Sequence, residues 1–78
     1  MTNLEKYTNA FTSTFDIKPE ETVNLKYQGI DAWDSVGHMG LVAAIEGAFG
    51  IMLEADDIVD LSSFEKGKEI LKKYNVEM

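Results

Sequence analysis

The sequence predicts an all-α fold: a small bundle of three main helices and one short helix, with a long loop after the first. Three observations carry that expectation. Apolar residues recur at intervals of three and four, and polar capping signals precede the periodic segments. No stretch alternates apolar and polar residues with period two between turn signals. At 78 residues the chain forms one domain, residues 1–78, because it is shorter than the length at which cores divide.

The first helix is predicted from about Asn3 to Asp16. Leu4, Tyr7, Phe11 and Phe15 fall on one helical face, Thr2 and Glu5 have capping-box spacing, and Lys18-Pro19 closes the segment. No period holds from Ile17 to Asp34, where Val23, Leu25, Tyr27 and Ile30 are scattered apolar anchors that fold the loop back onto the bundle. The second helix runs from about Ser35 to Phe49, with Val36, Leu41, Val42, Ile45 and Phe49 as its apolar face and Gly50 as its stop. Glu54 to Leu61 fits a turn or two of helix with Ile58 and Leu61 inward. A second capping box, Ser62 with Glu65, opens the last helix, whose Phe64, Ile70, Leu71 and Tyr74 face the core.

Composition excludes several functions. Fourteen Asp and Glu against seven Lys, with no Arg, give a formal charge of −7 that repels nucleic acid and anionic lipid. The longest nearly apolar stretch, Gly40 to Ile45, is far too short to span a membrane, and the mixed N-terminus lacks a secretory signal's hydrophobic run. The expectation is a soluble, cytoplasmic, monomeric protein whose partners bring positive charge. With no cysteine, neither a disulfide nor a Cys-based metal site is available.

The most informative stretch is Trp33-Asp34-Ser35-Val36-Gly37-His38-Met39, which places a serine in the first turn of the most apolar helix. Unpaired backbone N–H groups and the positive end of the helix dipole gather there, so a phosphate on Ser35 would sit in a favourable field. The plainer reading makes Asp34 and Ser35 a helix cap. His38, three residues on, has the spacing of a base for Ser35 with Asp34 or Asp31 orienting it, but so short a chain leaves little room for a cleft and shows no oxyanion donors. Trp33 is expected to pin the end of the loop. Asp56, Asp57 and Asp60 lack the alternate-position loop of a Ca²⁺ site and read as a solvated helix start.

Taken in order, Asp34-Ser35-Val36, Leu41-Val42, Ile45-Glu46, Phe49-Gly50-Ile51, Leu53, the acidic pair Asp56-Asp57 and the Ser62-Ser63-Phe64 helix start resemble an acyl carrier protein. The resemblance covers nearly the whole chain and is strongest from Trp33 to Phe64. It implies a non-enzymatic carrier: Ser35 esterified by 4′-phosphopantetheine from coenzyme A, through a separate phosphopantetheinyl transferase and Mg²⁺. The arm's thiol then holds an acyl group as a thioester between acyl-loading and acyl-transfer enzymes. Asp34 matches the preceding aspartate, which in the family helps hold the transferase's metal. Val36, Leu41, Ile45, Phe49, Ile58 and Leu61 would line the space that shelters the cargo, or simply form the core.

One departure from fatty-acid-synthesis members stands out. Their second helix exposes several carboxylates to partner enzymes, whereas here only Glu46 remains and Gly37, Gly40, Ala44 and Gly47 make a stripe of small residues. Each interior glycine costs roughly 0.5–1 kcal/mol against alanine. The stripe therefore reads as a close-approach docking face, with Asp56 and Asp57 as further partner contacts, or as a surface that lets two helices of the bundle pack closely. A docking face favours a dedicated biosynthetic pathway, such as secondary metabolism, over bulk fatty acid biosynthesis. A peptidyl or aminoacyl carrier with the same arm, and an unmodified acidic helical adaptor, are the alternatives.

Overall fold

The computed structural model describes all 78 residues. Four α-helices run in the order α1 (Asn3–Phe15), α2 (Ser35–Phe49), α3 (Ala55–Asp60) and α4 (Phe64–Lys72), with a 3-10 turn at Pro19–Glu21 in the first loop. No helix is long and apolar enough to cross a membrane.

Local chemistry sets the ends of each helix. Thr2 Oγ1 accepts the Glu5 N–H at 3.1 Å while the Thr2 N–H donates to Glu5 Oε1 at 2.9 Å, completing the predicted capping box. α1 ends on Asp16, in the left-handed conformation at φ 55°, with its N–H bonded to the Thr12 carbonyl. A left-handed cap, and not the clash before Pro19, therefore stops this helix. Gly50 ends α2 in the same way, at φ 63°. The start of α4 differs from the expected Ser62 box by one residue. Ser63 is the cap, its Oγ accepting the Lys66 N–H at 2.9 Å. Ser62 is committed elsewhere: its carbonyl accepts the Tyr27 N–H, and the Leu25 carbonyl accepts the Phe64 N–H, both at 2.9 Å. These two bonds form the single antiparallel bridge between Lys26 and Ser63 that straps the first loop to the bundle.

The core is built around aromatic rings. Phe11 packs against Tyr7 and Phe64, each at 5.0 Å between centroids, and against Trp33 at 5.5 Å; Phe15 stacks on Trp33 at 5.4 Å. Tyr7 is fully enclosed, and its hydroxyl donates to the Phe64 carbonyl at 2.6 Å. Burial raises that phenol far above its ordinary value. Of the predicted inward residues, Leu4 and Val36 are exposed instead. Of the loop anchors Leu25 is buried and Ile30 partly so, whereas Val23 and Tyr27 are exposed.

The small residues of α2 turn mostly toward α1 and its following loop. A Cβ on Gly37 would lie 1.9 Å from the Ala32 carbonyl oxygen and 3.2 Å from the Phe15 ring. One on Gly40 would meet Thr14 at 3.5 Å, and Ala44 packs on the core. Gly37 and Ala44 therefore serve close packing within the bundle, and the expected stripe is not one exposed face. Gly47 has open space around it. The two glycines should respond oppositely to alanine in urea melts. Gly37→Ala should cost about 1–3 kcal/mol through overpacking against a backbone carbonyl. Gly47→Ala should add about 0.4–1 kcal/mol.

Candidate functional site

Asp34, Ser35, Val36 and Met39 form an exposed corner where the first loop meets α2. The cap is Asp34, whose Oδ1 accepts the Gly37 N–H at 2.8 Å. Ser35 is the first residue of the helix proper, and its hydroxyl makes no hydrogen bond within the chain. The N–H groups of Ser35 and Val36 have no intrachain acceptor, as the first turn of a helix dictates.

Trp33 fixes this corner from behind. Its indole is wholly buried, stacked on Phe15, and its Nε1–H donates to His38 Nδ1 at 2.9 Å. An indole nitrogen can only donate, so Nδ1 accepts and the ring proton sits on Nε2. Nε2 then donates to the Ile58 carbonyl at 2.7 Å, tying α2 to α3. Both imidazole nitrogens are thus taken up inside the chain, and His38 is half-buried, so it is not the Ser35 base that its spacing invites. Neither the Asp31 nor the Asp34 carboxylate bonds the imidazole; Asp34 meets His38 through the backbone alone, its carbonyl accepting the His38 N–H at 2.8 Å.

The predicted cargo-lining residues divide. Leu41, Ile45 and Leu61 are core, Phe49 and Ile58 are half-buried against it, and Val36 is 80% exposed because it lies off the inward line of the helix. The hollow at the corner itself, about 230 Å³, is lined by Gln28, Ile30, Asp31, Trp33 and Asp34 and contains none of the predicted set. A second, of about 260 Å³ on the α3 side, is lined by Tyr27, His38, Val59, Leu61 and Ser62. It shares only Leu61 with the predicted set, and its size falls below that of a drug-sized ligand site.

The predicted partner-contact residues divide as well. Gly40, Gly47 and Asp56 are exposed. Glu46 folds back, its Oε2 accepting the Leu53 N–H at 2.8 Å. Asp57 is buried: it binds the Lys73 ammonium and, at 2.5 Å, the Tyr74 hydroxyl, which itself accepts the Glu54 N–H at 3.0 Å. Asp57 is therefore an internal clamp between α3 and α4 instead of a solvated contact, while Asp60 pairs with Lys66 at 3.4 Å. Sequence reasoning placed Tyr74 toward the core but did not anticipate that it and Lys73 bond Asp57. A usable signal for Asp57 lay in its four-residue spacing from both Leu53 and Leu61, which are buried.

The bonds from Lys73 and Tyr74 hold the Asp57 carboxyl below the usual carboxylate range. A depressed folded-state value contributes stability that is present above the unfolded value of about 3.9 and lost as pH falls through the folded value. Asp57→Asn should be less stable than the native chain at neutral pH, and the gap should close as the solution is acidified, followed by thermal melts. At the corner, Asp34→Ala should cost about 1 kcal/mol. Ser35→Ala should stay within about 0.5 kcal/mol of the native chain.

Comparison with protein-family models gives no match, and neither does comparison with curated proteins or with solved structures.

Proposed function

We propose that the protein is an acyl carrier that bears 4′-phosphopantetheine on Ser35 and passes thioester-bound intermediates between enzymes. The observation that carries this reading is a serine hydroxyl with no structural duty at the exposed first turn of α2. Asp34 does the capping, which leaves Ser35 open to modification without loss of the helix end. The free N–H groups of Ser35 and Val36, with the positive end of the helix dipole, suit a phosphodiester at that position.

The residues present fit the group. Ser35 Oγ would carry the phosphate, and the second carboxylate oxygen of Asp34, which the cap does not use, stays open to the transferase's Mg²⁺. When attached, the arm supplies the thiol that a chain without cysteine lacks. The pocket beside His38 and Leu61 gives a short cargo partial shelter, and the packed interior formed by Leu41 and Ile45 offers it no ready space. The outer side of α2 carries no carboxylate, since Glu46 is bonded to Leu53. That favours a dedicated biosynthetic pathway, in the cytoplasm, over bulk fatty acid synthesis.

Intact mass measured before and after incubation with coenzyme A, Mg²⁺ and a broad-specificity phosphopantetheinyl transferase tests the reading. One arm's increment should appear on the native chain and none on Ser35→Ala. A folded native chain that gains no mass with several such transferases would overturn it and leave an unmodified acidic adaptor.

A further inference from the structure

All the sulfur in this chain lies outside its core. There is no cysteine, and none of the four methionines is among the 15 buried apolar residues. Met52 is 84% exposed and Met39 55%, and Met1 and Met78 are exposed as well. Methionine is flexible and apolar, and it commonly fills irregular gaps in protein interiors. Here aromatic and aliphatic side chains fill the interior without it. The Trp33 indole, the next most oxidisable side chain, is placed the opposite way: it is wholly enclosed and hydrogen-bonded to His38. An oxidant arriving from solvent therefore meets thioethers first.

Two of the four sit at defined places in the fold. Met52 lies in the turn between α2 and α3, with the half-buried Ile51 and the buried Leu53 on either side. Both neighbours are tied to Glu46: the Ile51 N–H to its carbonyl at 3.2 Å, and the Leu53 N–H to its carboxylate at 2.8 Å. The backbone is thus held on each side of Met52, whose outward side chain takes no part in the holding. Met39 stands one helical turn after Ser35, and a long helical side chain leans back over the preceding turn. Its thioether therefore lies on the stretch of α2 that carries Ser35.

We propose that Met39 and Met52 are reversible oxidation sites, which peroxides convert to methionine sulfoxide without disturbing the fold. In the forward step a sulfur lone pair attacks the O–O bond of the peroxide. A sulfur–oxygen bond forms as the O–O bond breaks, and sulfur gives up two electrons. With hydrogen peroxide, the second oxygen leaves as water carrying both hydrogens. The return takes two electrons from a dithiol through methionine sulfoxide reductases, and it releases the bound oxygen as a further water. Sulfoxidation makes an apolar side chain polar, which disrupts a core but costs little where the side chain is already in water. Each cycle removes one peroxide, and at Met39 it places a polar group one turn from the Ser35 hydroxyl. The chemistry requires no modification of Ser35, so it stands or falls apart from the carrier reading.

The test treats the native chain with hydrogen peroxide and follows intact mass, peptide mapping and thermal melting. Mass should rise by four oxygen atoms, one for each methionine. Met39 and Met52 should react at rates within about tenfold of free methionine, since exposure governs the reaction. Trp33 emission should be retained, and the Tm of the fully oxidised chain should move by less than about 4 °C. The two epimer-specific sulfoxide reductases, supplied with a dithiol, should return the mass to its starting value. Leu41→Met, which puts a thioether at a fully buried position, should take a fifth oxygen only in urea and then refold poorly. Protection of Met39 or Met52 beyond that range, loss of the cooperative melt after four oxygens, or sulfoxides left in place by both reductases would overturn the proposal. So would a Leu41→Met chain that, oxidised in urea, refolds as well as the oxidised native chain, because sulfur placement would then not matter to the fold.

Discussion

The arrangement of the molecule depends on the hydrogen bond between the Trp33 indole and His38. A loop running from Asp16 to Asp34 has to deliver the chain to the start of α2 at one defined point, and loop entropy opposes any such definition. Burying the indole against Phe11 and Phe15 supplies the apolar part of the anchor. The hydrogen bond supplies its direction, because a buried indole N–H without an acceptor would be costly. His38 answers that need and passes the constraint to α3 through the Ile58 carbonyl. Gly37 completes the junction by letting the Ala32 carbonyl approach where any side chain would block it. Loop end, second helix and third helix are thereby fixed to one another at the turn that presents Ser35.

A division of labour among the polar residues follows. His38, Glu46 and Asp57 are all spent on holding backbone segments in place: the start of α2 to α3, the turn after α2, and α3 to α4. Asp34 spends one carboxylate oxygen on capping. What remains unspent near the corner is the Ser35 hydroxyl and a border of carboxylates. In so small a domain, with no disulfide, long-range polar bonds replace part of the core that a larger chain would bury. Chemistry offered to the outside is confined to what the fold does not consume.

The elements themselves were legible because helix periodicity and capping are local. The Thr2–Glu5 box, the α2 span and the Gly50 stop follow from residues within a few positions of one another. The start of α4 was misplaced by one residue because Ser62 is diverted by Tyr27, thirty-five positions earlier, and no local rule contains that bond. The small residues of α2 were legible as a stripe, yet which neighbour they serve depends on where α1 lands. Two errors were avoidable. His38 shares the line of Leu41, Ile45 and Phe49 at spacings of three, seven and eleven, which points it inward, and the same projection turns Val36 outward. Asp57 sits between Leu53 and Leu61 in the same fashion.

Trp33 is the chain's single tryptophan, wholly enclosed, and it lies two residues before Ser35. The molecule therefore contains its own optical probe at the place where its exposed chemistry is presented. Excited beyond the absorption of its three tyrosines, the protein emits from one indole, whose surroundings are the Phe11, Phe15, Tyr27 and His38 rings and the end of the first loop. An event that loosens the loop junction changes that light directly, whereas one confined to the far end of α2 leaves it dark to the probe. Fluorescence thus separates disturbances of the Ser35 corner from those elsewhere in the bundle without any label being added.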